Sequence, residues 1–250
     1  MQTYRIGPLV LVAALAAGAG ASEAQSFSRS GNPPTKTTGQ VAAHQFLAAQ
    51  TISQSTSTTV AAAASISCNS SSPNFYHMDN SYYRGFTLSG FAALTLPEFL
   101  VQQVTVGIEQ ATATTPPQAM TVRIWRATSN PISGAADPPG ANQVASEAVS
   151  VANQTLSLLP VNLTTPPVFL VASEHLAVEV FTPTGQTLLN TFFIGSNASG
   201  QSGPGYIKAA ACGVATIGDL AGIGFPNMHI VMQVTGNNQT PVELQNFSIE

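Results

Sequence analysis

Histidines and carboxylates are the side chains of this chain that can act as acids, bases or metal ligands. His77 and Asp79 lie two residues apart, so on an extended segment both side chains point the same way. Such a pair suits a metal ion or acid–base chemistry, although a polar strand entry would show the same residues. His175 and Glu179 share a strand face in the same way, and His229 lies among alternating apolar residues. A catalytic role for any of them needs a further partner that the sequence does not place.

The carboxylates Glu109, Glu174 and Glu179 lie in segments with strand-like alternation. Two of them at a suitable distance would form the acid pair of a glycosidase, whereas regular strands also expose acids simply as solvating groups. Ser202 does not form a nucleophile elbow, because Pro204 occupies the position of the second glycine in G-x-S-x-G. We therefore predict no catalytic residue.

Binding is better supported than catalysis by residue type. Arg123 and Trp125 lie on one face of a predicted strand, and Trp125 is the single tryptophan of the chain. An exposed indole beside a guanidinium can stack on a sugar ring or contact a partner. Two alternatives stay open: Trp125 covers the sheet beneath a loop, or Glu109 faces Arg123 across a hairpin and makes the arginine structural.

The loop 195–205 is rich in glycine, hydroxyls and amides. Loops at the end of a rigid scaffold commonly carry recognition. The loop holds no carboxylate, which argues against calcium. We therefore add Asn197 and Gln201 to Arg123 and Trp125 as candidate ligand-binding residues, and we predict no metal site and no cofactor.

Cys68 and Cys212 are the two cysteines of the chain. In an oxidising compartment one pair is most simply one disulfide, and a bridge over so long a loop is worth roughly 5 kcal/mol at most. Two buried thiols are the alternative. A structural zinc site is excluded, because neither a CxxC motif nor a Cys/His cluster is present.

The charge of the chain restricts its partners. Seven basic and eleven acidic residues give a net charge of −4, and charged residues make up 7% of the chain, against roughly 25% in average proteins. Nucleic acids and anionic membranes both select clustered Lys and Arg, so neither is a predicted partner. Low charge with many Ser, Thr, Asn, Gly and Pro residues is typical of exported β-rich proteins.

Residues 1–24 predict a secretory signal peptide. A short basic start precedes the apolar run 9–17, and small residues stand before a cut after Ala24. The far end of the chain carries no apolar helix, basic stop or LPxTG-type sorting sequence. We therefore expect release into the periplasm or the medium without a membrane anchor.

The mature chain divides by composition into three parts. Residues 25–66 are rich in Ser, Thr, Ala and Gln and predict a disordered linker, with one short helix around 41–49. Residues 67–237 predict the folded domain, and residues 238–250 a C-terminal tail.

The folded domain has the pattern of an all-β protein. About ten short runs rich in Val, Ile, Phe, Tyr and Thr alternate in polarity and are separated by Gly, Pro, Asn and Asp. Among the strands that these runs predict are 100–110, 120–127 and 175–181. No sustained helical stripe lies between them. This favours a two-sheet antiparallel β-sandwich of jelly-roll type, with an immunoglobulin-like sandwich as the alternative.

Several blocks resemble a group of uncharacterised bacterial exported β-sandwich domains: 81–86 (SYYRGF), 106–109 (VGIE), 121–125 (TVRIW), 203–213 (GPGYIKAAACG) and 223–226 (IGFP). The resemblance covers about residues 68–237. It implies an accessory or adhesion-type module and carries over no catalytic residue.

The sequence therefore favours a secreted, non-enzymatic recognition or structural module, with carbohydrate or a cell-surface or matrix component as partner. The alternative is a secreted glycosidase-like hydrolase with a site built from Glu109, Glu179, His77 or His229. A third hypothesis is a coat component that assembles through exposed strand edges.

Overall fold

The structure is a computed structural model that describes residues 48–71, 74–140 and 142–240. The predicted signal peptide, the linker up to residue 47 and the last ten residues of the tail lie outside the described residues. So does nearly all of the short helix expected around 41–49.

The described residues form fourteen strands and two single 3-10 turns, Leu88–Gly90 and Ala210–Cys212. None of the helices among them is long and apolar enough to cross a membrane. The strands are β1 (Gln50–Ser53), β2 (Asn80–Thr87), β3 (Glu98–Thr112), β4 (Gln118–Ala127), β5 (Asn142–Val151), β6 (Gln154–Asn162), β7 (Val168–Leu170), β8 (His175–Thr182), β9 (Thr191–Ile194), β10 (Ser196–Asn197), β11 (Gly205–Ala209), β12 (Val214–Asp219), β13 (His229–Ile230) and β14 (Met232–Gln239).

Two antiparallel six-stranded sheets make up the domain, which confirms the predicted all-β sandwich. Sheet 1 has the order β1-β14-β3-β6, and the long strand β3 also pairs with β7 and β9. Sheet 2 has the order β12-β11-β2-β8-β4-β5, and β10 pairs separately with β13. Strands β11, β2, β8 and β4 are therefore the interior of sheet 2, with neighbours on both sides.

The main core lies between the two sheets and follows from the alternation of the strands. Val104, Val106 and Ile108 of β3 and Val178 and Val180 of β8 all belong to one buried apolar cluster. Each such side chain contributes roughly 1.5–3 kcal/mol on full burial. The period-two pattern thus sets which face of each strand lies inward.

Sheet 2 is also covered on its outer face, where a second apolar cluster includes Tyr83, Trp125, Tyr206, Ile132 and Ile217. Ile132 comes from the loop between β4 and β5, and Ile217 from β12. The backbone of that loop bonds to β12 through Gly134 N–H and Ile217 N–H, each at 2.8 Å. The outer face of sheet 2 is therefore a covered surface rather than a solvated one.

The predicted disulfide between Cys68 and Cys212 is confirmed. The two Cα atoms are 5.8 Å apart and the bridge spans 144 residues. It ties the segment before β2 to the second 3-10 turn, and among the described residues no cysteine is free. A structural disulfide is typical of an oxidising environment outside the cytosol.

The sandwich begins at β1 rather than at the predicted boundary of residue 67. Strand β1 pairs with β14 in register from Gln50↔Gly236 to Ser53↔Gln233. Downstream, Thr56 N–H donates to Gly200 O at 3.1 Å and Ala61 N–H donates to Ser196 O at 2.8 Å. Backbone pairing orders this part of the segment, so it departs from the disorder that its polar composition predicts.

Candidate functional site

Glu179 is at the centre of a polar row on the outer face of sheet 2. It lies on β8 directly between Tyr83 of β2 and Arg123 of β4 in the strand register. Glu179 is only 1% exposed, although its side chain is a carboxylate. A carboxylate at such a depth needs donors on both oxygens.

Both oxygens of Glu179 have donors. Oε1 accepts from Ser81 Oγ at 2.7 Å and from Arg123 Nη1 at 2.9 Å, while Oε2 accepts from Trp125 Nε1 at 3.1 Å. Burial and the Glu179 charge together raise the pKa of Tyr83, which lies beside the carboxylate. The row is an ion-pair network that satisfies both oxygens of Glu179 and joins β2, β8 and β4, while the Tyr83 hydroxyl beside it has no hydrogen-bond partner among the described residues.

This network corrects two sequence expectations. Trp125 is 8% exposed and belongs to the covered outer cluster. The expectation of an exposed indole for sugar stacking is therefore wrong, and the alternative, in which Trp125 covers the sheet beneath a loop, holds. Arg123 pairs with Glu179 and not with Glu109. Glu109 instead accepts the backbone N–H groups of Ala63 and Ala64 at 2.9 and 3.1 Å.

A shallow depression of about 270 Å³ borders the row. Its charged side chains are Asp79, Glu179, Arg123 and Lys208. Arg123 is paired with Glu179, and Lys208 with Asp137 at 3.4 Å. The depression therefore offers a ligand few groups that the fold does not already use.

The candidates Asn197 and Gln201 also bind within the fold. Asn197 is 3% exposed and its Nδ2 donates to the carbonyls of Ser57 and Thr59 at 3.0 and 2.9 Å. Gln201 Oε1 accepts from Arg84 Nη1 at 2.7 Å. Neither shares a hydrogen-bond partner with Arg123 or Trp125. In the part of the chain that the structure describes, the hydrogen bonds therefore do not connect the four predicted ligand-binding residues into one site.

Arg84 is a fully buried guanidinium that points between the sheets. Its Nε and Nη2 donate to Ile230 O at 3.2 and 2.5 Å, and its Nη1 donates to Gly203 O at 2.6 Å and to Gln201. Nη2 also reaches Ser55 Oγ at 3.4 Å. All acceptors are neutral, and desolvation lowers the pKa of Arg84 to about 10. Arg84 thus anchors the loop before β11 from inside the core.

His77 and Asp79 do not form the pair that their spacing allows. His77 is 1% exposed, and its Nδ1 donates to Met78 O at 3.1 Å. Asp79 accepts the backbone N–H of Thr184 at 2.5 Å. Among the described residues no group of three metal-ligating side chains occurs. Burial lowers the pKa of His77, so the ring is held neutral.

The other candidate acids and bases are separate from one another. His175 Nδ1 lies 3.3 Å from Thr87 Oγ1. His229 Nδ1 accepts the N–H of Gly200 at 2.9 Å. Glu174 forms an ion pair with Arg126 at 2.8 Å. Each candidate is bound to a different set of partners.

A cleft of about 550 Å³, here called the Gln54 cleft, lies at one end of sheet 2. It lies where the first 3-10 turn, the β4–β5 loop, the loop before β11 and the end of β12 meet Gln54. Its lining is Gln54, Thr87, Gly90, Phe91, Asn130, Pro131, Ser202, Gly203, Pro204, Tyr206 and Asp219.

Gln54 is 7% exposed and only half satisfied. Its Nε2 donates to Gly85 O at 2.8 Å, but its Oε1 has no hydrogen-bond partner among the described residues. Gly203 packs so closely against this amide that a Cβ there would collide with it. The tight contact fixes the Gln54 side chain at the cleft with an unused acceptor.

Tyr206 adds a second unused group to the lining. Its residue is fully buried, and its hydroxyl lies beside the Ile132 backbone without a hydrogen bond of acceptable geometry among the described residues. Burial raises its pKa, so it stays a neutral hydroxyl. An unpaired buried polar group costs about 1–3 kcal/mol, and two residues with such a group line this cleft.

The other polar side chains of the cleft differ in whether their hydrogen-bonding groups are already used. Asn130 Nδ2 already donates to Gly85 O at 3.1 Å and to Thr87 Oγ1 at 3.2 Å. Asp219 Oδ1 accepts from Ala221 N–H at 3.0 Å, and within the described residues its Oδ2 has no donor. Phe91 supplies a half-buried ring whose far side packs on Phe86, with ring centroids 6.0 Å apart.

Sequence reasoning did not identify the Gln54 cleft. Gln54 is one of many polar residues in a segment whose composition predicts a linker, and no motif marks Phe91, which follows the first 3-10 turn, or Asp219, which ends β12. The one available signal was the block 203–213, which contains Gly203 and Tyr206 but marks a turn and a strand rather than a ligand site.

No protein-family profile and no curated protein matches this chain. Among solved structures, it is similar to the cysteine protease and lectin-like domains of a surface layer associated protein of Clostridium difficile, at 11% identity and a TM-score of 0.39. The match covers 64% of this chain and 32% of that chain, so this chain spans about a third of its length. A TM-score below 0.5 does not define a shared fold, and no function is transferred from that protein.

Proposed function

We propose that the protein is a secreted, non-enzymatic recognition module that binds carbohydrate in the Gln54 cleft. The observation that carries the proposal is Gln54, a residue of the cleft lining whose buried Oε1 has no partner among the described residues. Export fits the Cys68–Cys212 disulfide and the signal peptide predicted for residues 1–24. In this proposal the module acts outside the cytoplasm as an accessory or adhesion-type domain.

The chemistry of the cleft suits a sugar. A sugar ring presents hydroxyls at its edge and C–H groups on its faces, so it needs fixed polar partners and an aromatic surface. Gln54 and Asp219 offer acceptors and Phe91 offers a ring. Binding sites of this type combine a partly apolar wall with a few placed polar groups.

Hydrolysis is less well supported by the same cleft. Glycosidases use two carboxylates on either side of the scissile bond. Among the described residues Asp219 is the one carboxylate that lines the Gln54 cleft. Of the acids that the sequence suggested, Glu109 accepts hydrogen bonds from backbone N–H groups, and Glu179 is part of the ion-pair network on the outer face of sheet 2.

The proposal is tested with the Phe91→Leu variant on an array of neutral oligosaccharides. Leucine keeps apolar volume against Phe86 but removes the aromatic face. We expect the affinity for the bound sugar to fall about three- to tenfold, which corresponds to one aromatic contact. Thermal unfolding measured beside it checks that the fold is kept.

The matched control is Phe75→Leu, because Phe75 is 44% exposed and does not line the cleft. This variant should bind as the wild type does. Failure of the wild-type protein to bind any sugar on the array, or equal loss in both variants, would contradict the proposal.

A further inference from the structure

We infer that the Gln54 cleft selects neutral, hydroxyl-rich sugars and rejects sugar acids. This inference rests on the proposed function and names the class of ligand. It follows from three properties of the cleft, namely the sign of its charge, two free groups that can only accept hydrogen bonds, and the way in which the nearby arginine is used.

The charge that lines the cleft is negative. Asp219 is its one charged side chain among the described residues, and the lining contains neither Lys, Arg nor His. A ligand carboxylate would therefore meet a carboxylate without a cation to compensate. Like charges at short range in a partly desolvated cleft repel strongly.

Two of the free polar groups of the cleft can only accept, namely Gln54 Oε1 and the second oxygen of Asp219. The Tyr206 hydroxyl can donate or accept, and the Asn130 amide already donates to Gly85 O and Thr87 Oγ1. Sugar hydroxyls are donors and fill these acceptors. A carboxylate brings two more acceptors and no donor, so it would leave them unpaired.

Arg84 does not reverse this selection although it contacts the cleft loop at Gly203. Its five N–H groups donate to Ile230 O, Gly203 O, Gln201 Oε1 and Ser55 Oγ. No donor remains for the paired hydrogen bonds by which arginine recognises a carboxylate. The guanidinium is also fully buried behind the loop.

The test measures affinity for matched sugars by calorimetry. Tetrasaccharides of glucose, galactose and mannose are each paired with the tetrasaccharide of the corresponding uronic acid in the same linkage. We expect the protein to bind the neutral member of a pair at least about tenfold more tightly. The Asp219→Asn variant should reduce this preference to below about threefold, chiefly by improved binding of the acid.

Asp137→Asn is the matched control, because Asp137 lies on the β4–β5 loop, pairs with Lys208 and does not line the cleft. It should keep the wild-type preference. As a second measurement on the wild type, added salt should narrow the preference, since screening weakens repulsion.

The outcomes separate the two proposals. Equal or tighter binding of the uronic acids by the wild type overturns the selectivity while carbohydrate recognition stands. No binding of either member of any pair overturns the proposed function itself. A preference for neutral sugars that neither Asp219→Asn nor salt reduces would overturn the assignment of the selection to Asp219.

Discussion

Glu179 and Gln54 are both buried polar side chains beside sheet 2, and they differ in what surrounds them. Glu179 receives three hydrogen bonds from Ser81, Arg123 and Trp125. Gln54 uses its amide nitrogen, but its oxygen has no partner among the described residues, and the residue lines a cleft. The charged residue is thus part of the scaffold, and the uncharged one is the residue on which the proposed site rests.

The difference shows why charge and aromaticity alone misdirect a search for function. Arg123 and Trp125 have the chemistry of a ligand site, yet both of their polar groups bind Glu179. Buried polar groups are nearly always hydrogen-bonded. A group that breaks this rule next to a cavity is therefore a stronger indicator of binding than a group that obeys it.

Breaking the satisfied network gives the largest expected effect. Glu179→Met leaves the Trp125 N–H and the Ser81 hydroxyl without an acceptor and leaves Arg123 without its partner. We expect a loss of about 3 kcal/mol in the free energy of unfolding, measured by denaturant titration. Sugar binding by the folded fraction should not change.

Glu174→Met is the matched control for this experiment. Glu174 pairs with Arg126 near the surface, where both side chains are partly exposed. Its replacement should cost less than about 1 kcal/mol. Equal losses in the two variants would contradict the structural role assigned to Glu179.

His77 sharpens the comparison, because its Nε2 is also buried without a partner among the described residues but does not line the Gln54 cleft. Burial lowers its pKa from 6.5 in the folded state, so the unfolded chain binds the proton more readily. Stability should therefore fall as the pH drops below about 6.5, by up to about 1.4 kcal/mol per pH unit. His77→Gln should remove this dependence in unfolding measurements between pH 7 and 5.

His175→Gln provides the comparison variant, since His175 is partly exposed and should leave the pH profile as in the wild type. A profile that His77→Gln does not flatten would show that protonation of His77 does not limit stability at acid pH.

The smallest effect on stability is expected at the cleft itself. Gln54→Met removes the unpaired oxygen and also one of the two donors to Gly85 O. The second donor to this carbonyl, the Asn130 amide, remains. Stability should change by less than about 1 kcal/mol, while the affinity for neutral sugar should fall about three- to tenfold. Gln186→Met, which replaces a partly buried glutamine outside the cleft, should leave the affinity as it is.

The sequence predicted the parts of the fold that alternation determines. The predicted strands 100–110, 120–127 and 175–181 correspond to β3, β4 and β8 within two residues at each end. The alternation also put Arg123 and Trp125 on one face. It could not show that Ile132 and Ile217 cover that face, because this depends on where a distant loop and strand pack.

The cleft could not be predicted for a related reason. Its lining comes from segments around residues 54, 90, 130, 203 and 219, which no local pattern connects. The strands β1 and β12 were not predicted either, because each carries a single buried apolar side chain, Ile52 or Ile217, and is ordered largely by backbone pairing with β14 or β11. Residues 25–66 were predicted to be a linker from their composition, and composition does not detect such pairing.

The central claim is that the unpaired oxygen of Gln54 belongs to a sugar site. A crystal structure of the protein with the tightest-binding neutral oligosaccharide tests it most directly. We predict a sugar hydroxyl within hydrogen-bond distance of Gln54 Oε1, with a ring face against Phe91. A sugar bound elsewhere on the domain, with Gln54 Oε1 still unpaired, would contradict the claim.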